Sequence, residues 1–276
     1  MTPTRFSTPH VRPAPDGRPG VAAQLTDLAH ELRTPLNSVI GLSAVLARGI
    51  HGPLNEKQSE YVAQIEASGR HLLALITDVL DFAKAESGKL DAQLEEVSVA
   101  DVVDEVVAMM RGTGLARGVV VRGGHAPDLL PVAADPLRLK QVLLNLLSNA
   151  IKFTEPGQRV GVYAHARYGT VSIDVWDTGI GIAAEDQERI FQPFEQVDAA
   201  RSRRDEGTGL GLPLSRRLTE AQGGTLSVHS ALGYGSVFTV SFPALAAGQD
   251  AAPPLAPPVA LPQLRLGVPA EAARAS

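Results

Sequence analysis

Two stretches near the start of the chain place an apolar or small residue at every third or fourth position. Leu25, Leu28, Leu32, Leu36, Val39, Ser43 and Leu46 form one series; Tyr61, Ile65, Ser68, Leu72, Leu75, Val79 and Phe82 form the other. That spacing marks one face of a helix. It predicts a helix from Gly20 to about Arg48 and a second from Asn55, a capping residue, to about Glu86, before Ser87-Gly88. Gly49, Gly52 and Pro53 mark the turn between them. The result is an all-α antiparallel hairpin with a thin core where its stripes meet. Heptad-like spacing argues for a homodimer in which two hairpins form a four-helix bundle. The competing arrangement packs the hairpin on its own second domain.

Beyond Gly88 the period changes. Leu90, Leu94 and Val97 fit a short strand, and Val99 to Met110 a helix that Gly112, Gly114 and Gly118 should break. Val119 to Arg122 and Val132 to Ala134 are strand candidates. Asp135-Pro136 reads as a helix cap and first turn, with the helix running to about Lys152. Arg159 to Ala166 and Thr170 to Asp177 read as paired strands, the second alternating Val171, Ile173 and Val175 with Ser172, Asp174 and Trp176. Glu185 to Ile190 and Leu210 to Gln222 are predicted helices. Thr225 to Ser230 and Ser236 to Phe242 are the last strands. Strands adjacent in sequence, mixed with helices, predict an α+β sandwich with helices on one sheet face. The expected organisation is a proline-rich leader over 1–18, the hairpin over 19–87, the sandwich over 88–243, and an Ala- and Pro-rich tail over 244–276.

One residue of the first helix does not fit its apolar stripe. At about 100° per residue, His30 falls roughly 160° from the stripe's centre. Thr34 lies one turn on, on the same outer face, and Glu31 is adjacent. Pro35 interrupts the periodic pattern, removing a backbone donor and predicting a bend. Most lone histidines carry no chemistry, so the rest of the chain has to decide what His30 does.

Composition narrows the choice. A net charge of −5 gives no electrostatic reason to bind nucleic acid. The absence of cysteine among 276 residues excludes disulfides and thiolate zinc sites and fits a reducing compartment. No apolar run is long enough to cross a bilayer, and no secretory signal is visible at the N-terminus. The expectation is a cytoplasmic protein that engages no membrane.

Four clusters in the second half carry candidate chemistry. On the helix from Pro136, Asn145, Asn149 and Lys152 share a flank with Arg138 and Gln141, beside an apolar face of Leu139, Val142, Leu143, Leu146 and Ala150. An amide oxygen can ligate a hard cation such as magnesium, and a lysine can meet phosphate as a point charge. A solvated polar face would look the same. The second cluster is DTGIG, Asp177 to Gly181, where a carboxylate at a strand end can accept from an amino group and Gly179 and Gly181 allow close backbone approach. An Asp-capped turn would look the same. The third is FQPF, Phe191 to Phe194, either core or the hinge of a flap. The segment after it holds Arg201, Arg203 and Arg204 and suits a charged lid over an anion. The fourth, GTGLGL, comprises Gly207, Thr208, Gly209, Leu210, Gly211 and Leu212 and opens a helix whose amides make an anion site. It matches neither the dinucleotide fingerprint nor a P-loop.

In this order, behind a histidine-bearing hairpin, the four clusters resemble those of the sensor histidine kinases of two-component signalling. HELRTPL resembles the H box, NLLSNAIKFT the N box, DTGIG the G1 box, FQPF the F box and GTGLGL the G2 box, over about residues 20 to 243. The resemblance implies a dimeric phosphoacceptor hairpin followed by an ATP-binding domain of the Bergerat type. It implies that Asp177 holds adenine, Asn149 magnesium, Lys152 phosphate, and the Gly207 to Gly211 turn the triphosphate of ATP. Asn145 stands where many relatives in the wider superfamily carry a glutamate for water attack; an amide there suits transfer to histidine. His30 becomes the nucleophile, with Glu31 as its base, and the phosphoryl group passes to an aspartate on the receiver domain of a response regulator. Thr34 matches the position that orients water in the reverse, phosphatase reaction. Glu206 stands where many members have glycine. Input arrives through a separate sensory protein, or the chain is one part of a larger system. The alternatives are a degenerate kinase serving as a phosphotransfer or phosphatase binding module, and a non-kinase ATPase of the same fold.

Overall fold

The computed structural model describes residues 21–86, 92–195 and 209–245. The chain divides into two compact units, Met1–Arg70 and His71–Ser276.

The first unit holds helix α1 (Val21–Ala47) and the start of helix α2 (Glu56–Glu86). Pro35 lies inside α1, and the helix continues through it. Gly49 and Gly52 turn the chain with φ of 65° and 121°, values that a side chain would oppose. Asn55 and Gln58 then cap α2 reciprocally, each backbone N–H donating to the other's side-chain oxygen at 2.9 Å. The helices approach along Leu36, Ile40, Ser43, Val62 and Gly69, where a Cβ on Gly69 would meet Ile40 Cγ1 at 2.9 Å. The two periodic stripes therefore close on each other only in part, through Leu36 and Ser43. Leu32, Val39, Leu46, Tyr61, Ile65 and Leu72 stay exposed, as does Leu42.

The second unit begins within α2. Next come strand β1 (Glu95–Val97), helix α3 (Val99–Ala116), strands β2 (Val120–His125) and β3 (Val132–Ala134), and helix α4 (Pro136–Lys152). Strands β4 (Arg159–Arg167) and β5 (Thr170–Asp177), helix α5 (Gly211–Glu220), and strands β6 (Thr225–Ala231) and β7 (Gly235–Pro243) complete it. The main sheet has the order β2-β4-β5-β7-β6, with β2 parallel to β4 and the other pairs antiparallel; β1 pairs with β3 separately. Side chains alternate across a strand, so Val171, Ile173, Val175 and Asp177 point inward while Ser172, Asp174 and Trp176 point outward. The inward side meets Val103, Val106, Leu139, Leu143, Leu218 and their neighbours in one core. This is the α+β sandwich expected. No helix among the described residues is long and apolar enough to cross a membrane.

Three elements differ from the sequence reading. Helix α3 runs on to Ala116 because Gly114 is a packing position: a Cβ there would strike the Val121 side chain and come within 2.8 Å of the Val119 carbonyl. Strand β2 extends over Gly123, whose missing side chain leaves room for Val107 of α3. The helix expected at Glu185 to Ile190 is instead two single 3-10 turns, Ala184–Asp186 and Arg189–Phe191, closed by bonds such as Phe191 N–H to Glu188 O at 3.3 Å.

Candidate functional site

Helix α4 is aimed by its cap. Asp135 accepts from the backbone of Leu137 and Arg138 at 3.0 and 3.1 Å, Pro136 takes the first position, and Asp135 N–H donates to Gln222 Oε1 at 2.8 Å. Its buried side is Leu139, Val142, Leu143, Leu146, Leu147, Ala150 and Ile151. The polar flank runs beside it and splits in two. At the helix start, Arg138 and Gln141 serve Asp81 of α2, at 3.0 and 3.1 Å, so these two flank residues are occupied by an ion-pair cluster. Asp78, one turn earlier on α2, has a carboxyl held above the ordinary range by burial and then by Asp81.

Further along the flank, Asn145 donates from Nδ2 to Ser215 Oγ of α5 at 2.8 Å. Its Oδ1 lies so close to Gly211 that a Cβ on that glycine would stand 2.5 Å away. Asn145 is thereby fixed against the opening of α5. Asn149 and Lys152 follow, both half-buried, with Lys152 Nζ 5.1 Å from the centre of the Phe153 ring.

Asp177 ends β5 and is buried. Its Oδ1 accepts from Gly179 N–H at 2.8 Å, and the polar groups of Ser236 of β7 lower its pKa. Burial raises its carboxyl to about 6, against those donors, which favour the ionised form. At neutral pH the group is therefore mostly an acceptor. The turn around it has no room for side chains. A Cβ on Gly179 would strike the Phe153 carbonyl, and one on Gly181, at φ 69°, the Ala231 carbonyl. The turn is tied to the β6–β7 hairpin by Gly233 N–H to Ile180 O at 2.7 Å and Ile182 N–H to Ser230 Oγ at 2.8 Å.

The remaining clusters are placed in part. Gly209 has φ 68° and lies against the Phe194 backbone, whose N–H donates to Gly209 O at 3.0 Å; Leu210 is buried and Gly211 begins α5. Phe191 is core, set edge-on to Phe238 with the Arg216 guanidinium 3.8 Å from its ring centre, whereas Phe194 is exposed at φ 64°. Gly207, Thr208, Glu206 and the arginines of the expected lid lie outside the described residues. His30 lies within α1; the expected outward direction of its side chain also falls outside them, while Glu31 and Thr34 are exposed.

Sequence reasoning missed Ser230, Ser236 and Ser215. The hairpin signal Leu232-Gly233-Tyr234-Gly235 was there to suggest that residues flanking it meet across strands, but nothing in it tells which strand end they meet.

A layered α/β unit with a buried carboxylate in a glycine turn, linked to a long helical hairpin bearing a histidine, defines the class: a nucleotide-site fold of the Bergerat type behind a phosphoacceptor-type hairpin. The comparisons narrow this. Residues 21–88 match the His Kinase A (phospho-acceptor) domain, and residues 134–246 the histidine kinase-, DNA gyrase B-, and HSP90-like ATPase domain. The chain belongs to the sensor histidine kinases.

It is 42% identical over 238 residues to the histidine protein kinase DivJ of Caulobacter vibrioides, covering 86% of this chain and 40% of that one. It is 40% identical over 229 residues to the cell-division control histidine kinase PdhS of Brucella ovis, covering 79% and 22%. A crystal structure of full-length ShkA in complex with AMPPNP matches at 36% identity and TM-score 0.69, over 84% of this chain and 47% of that one. The chain thus spans two fifths or less of the length of these curated relatives.

Proposed function

We propose that the chain, as a homodimer in the cytoplasm, binds ATP against α4, the Asp177 turn and the start of α5, phosphorylates His30, and passes the phosphoryl group to an aspartate on the receiver domain of a response regulator. The observation that carries this reading is Asp177: a buried, largely ionised carboxylate in a turn that admits only backbone, in the same chain as a phosphoacceptor-type helix.

Asp177 accepts from the exocyclic amine of adenine, and Gly179 and Gly181 let its turn pack directly on the Phe153 and Ala231 backbone. Gly207, Thr208, Gly209, Leu210 and Gly211 present backbone amides to the triphosphate. Lys152 meets phosphate as a point charge. No group of three His, Asp or Glu among the described residues could hold a metal by itself. Magnesium therefore fits as a nucleotide-borne ion, with the Asn149 amide as a protein ligand, and supplies charge neutralisation on the phosphates. Asn145, held by Ser215, offers an amide where a base for water attack would stand, which favours transfer over hydrolysis.

In the first step a ring nitrogen of His30 bonds to the γ-phosphorus. The bond from that phosphorus to the bridging oxygen breaks, and its electron pair leaves with ADP. Glu31 takes the ring proton. In the second step a receiver carboxylate oxygen bonds to the phosphorus as the phosphorus–nitrogen bond breaks. Thr34 orients water when the phosphoryl-regulator is hydrolysed. Incubation with γ-labelled ATP gives an acid-labile label on the wild type and none on His30→Gln; a label surviving that change overturns the assignment.

A further inference from the structure

Helix α5 buries Pro213, Leu214, Ser215, Leu218 and Thr219. Two of these are hydroxyls, and a buried hydroxyl needs a partner. Thr219 finds one within the helix, donating to Ser215 O at 2.8 Å. The Ser215 hydroxyl instead reaches α4, where it accepts from Asn145 Nδ2 at 2.8 Å.

A carboxamide has two unlike ends: Nδ2 donates, Oδ1 accepts, and half a turn of the side chain exchanges them. Asn145 lies between two α5 neighbours of different chemistry. Ser215 Oγ takes a hydrogen from one end. Gly211 offers carbon to the other, since a Cβ there would stand 2.5 Å from Oδ1 and 3.1 Å from Nδ2. Turned round, the amide would aim its hydrogens at the Gly211 carbon, which accepts nothing, and would give up the bond from Nδ2. The carbonyl of Asn145 therefore lies beside residue 211, at the opening of α5, and its amine is directed to residue 215, one turn into the helix.

That orientation matters for charge. In the proposed function the opening of α5 meets the nucleotide phosphates. A carbonyl oxygen cannot donate to a bare phosphate oxygen, and the two repel. Magnesium on the phosphates reverses this, because the ion takes oxygen ligands and keeps waters that donate. Asn149, one turn along α4 and on the same flank, is the proposed protein ligand of that ion. An Asn145 turned the other way would bond the phosphate oxygens directly through its amine and make the ion less necessary.

We propose that Ser215 is a positioning residue that holds the Asn145 carbonyl toward the opening of α5, and that this orientation makes the site select the magnesium complex of the nucleotide over the metal-free nucleotide. The inference rests on the ATP and magnesium reading above. Ser215 acts through Asn145 and need not touch the nucleotide. Gly211 belongs to the same arrangement, because a methyl group there would displace Oδ1.

The test is ADP binding to the full chain by calorimetry, with excess magnesium and with EDTA, for wild type, Ser215→Ala, Asn145→Ala and the double variant. The quantity read is the magnesium gain, the ratio of the two affinities. Ser215→Ala lets the amide turn and lowers the gain by about threefold to tenfold, the worth of one hydrogen bond. Asn145→Ala lowers it as well, and adding Ser215→Ala to that variant changes it no further. Weaker binding of both forms by the same factor in Ser215→Ala, with the gain unchanged, means that Ser215 only packs α5 on α4 and overturns the inference. A double variant whose gain falls below that of Asn145→Ala by the full Ser215→Ala factor also overturns it. Should Ser215→Ala not fold, Ser215→Cys takes its place with the same expectations, keeping the shape while weakening the acceptor. A wild-type gain in Asn145→Ala overturns the inference in either case. A wild type that binds ADP equally with and without magnesium overturns the magnesium reading, and one that binds ADP in neither condition overturns the nucleotide reading itself.

Discussion

The hairpin and the sheet unit treat their apolar residues in opposite ways. In the sheet unit Leu139, Ile173 and Val240 are 0% exposed, and one core joins α3, α4, α5 and the strands between them. In the hairpin Leu42 is 65% exposed and Ile65 49%, although both helices are long and α2 is capped by Asn55. One unit is complete within a single chain, whereas the other displays apolar side chains that single-chain packing does not use. Each large aliphatic side chain left in water forgoes roughly 1.5–3 kcal/mol of burial. The contrast supports the proposed homodimer, in which the exposed apolar side chains of the hairpin meet a second copy.

The contrast breaks most sharply if charge is placed on the hairpin's exposed apolar side chains. The double variant Leu42→Lys, Ile65→Lys buries unpaired ammonium groups at any dimer interface, at a cost of several kcal/mol. Light scattering should find a monomer at concentrations where the wild type is dimeric, with ADP affinity within about twofold of wild type. A dimer that survives both lysines would place the interface elsewhere.

Within the sheet unit, Asp177 gives the next largest effects. Asp177→Asn replaces a charged acceptor with an amide and should weaken ADP binding by about 100-fold, or about 3 kcal/mol, without changing the oligomeric state. The same residue makes the free protein pH-sensitive. Its folded pKa, about 6, is above the ordinary 3.8, so its stabilising effect is complete below about pH 4 and is lost as pH rises through about 6. A rise of about two units corresponds to about 3 kcal/mol. Chemical denaturation from pH 4 to 7 should show wild type losing about that much stability relative to Asp177→Asn, with no nucleotide present. Equal pH slopes would contradict the buried carboxylate.

Smaller changes separate packing from function. Gly69→Val puts methyl groups where Ile40 already sits and should cost about 1–3 kcal/mol in hairpin stability, read by thermal unfolding, with little effect on ADP binding. Thr154 is buried and its hydroxyl has no hydrogen-bond partner among the described residues. Thr154→Val keeps the shape and removes that unsatisfied group, so stability should stay level or rise by about 1 kcal/mol. A clear loss would reveal a partner for the hydroxyl.

The two regions also differ in how far their sequence can be read. The hairpin helices follow from a period of three and four because that period reports which residues share a face. What it does not report is which face meets which partner. Within the stripe from Leu32 to Leu46, Leu36 and Ser43 lie at the chain's own contact beside Ile40 and Gly69, which belong to neither stripe, while Leu32, Val39 and Leu46 stay exposed. In the sheet unit the alternation of β5 and the Asp135-Pro136 cap place their elements directly. Gly112 and Gly114 read as breakers because a missing side chain has no local signature that separates a helix end from a close approach by Val121. The local run of the candidate clusters was legible for the same reason: glycines and a carboxylate stand next to each other in the chain. The hydroxyl that holds Asn145 was not, because Ser215 reaches it only through helix packing.

The measurement that bears most directly on the account is the site of phosphorylation. The hairpin region also contains His51 and His71, both exposed, so a label on the protein alone does not distinguish among its histidines. Wild-type protein incubated with ATP and magnesium, digested at neutral pH and mapped by mass spectrometry, should carry one phosphoryl group on His30, and none after the Asp177→Asn change. A phosphoryl group on another histidine, or on His30 in the Asp177→Asn protein to the same extent, would contradict it.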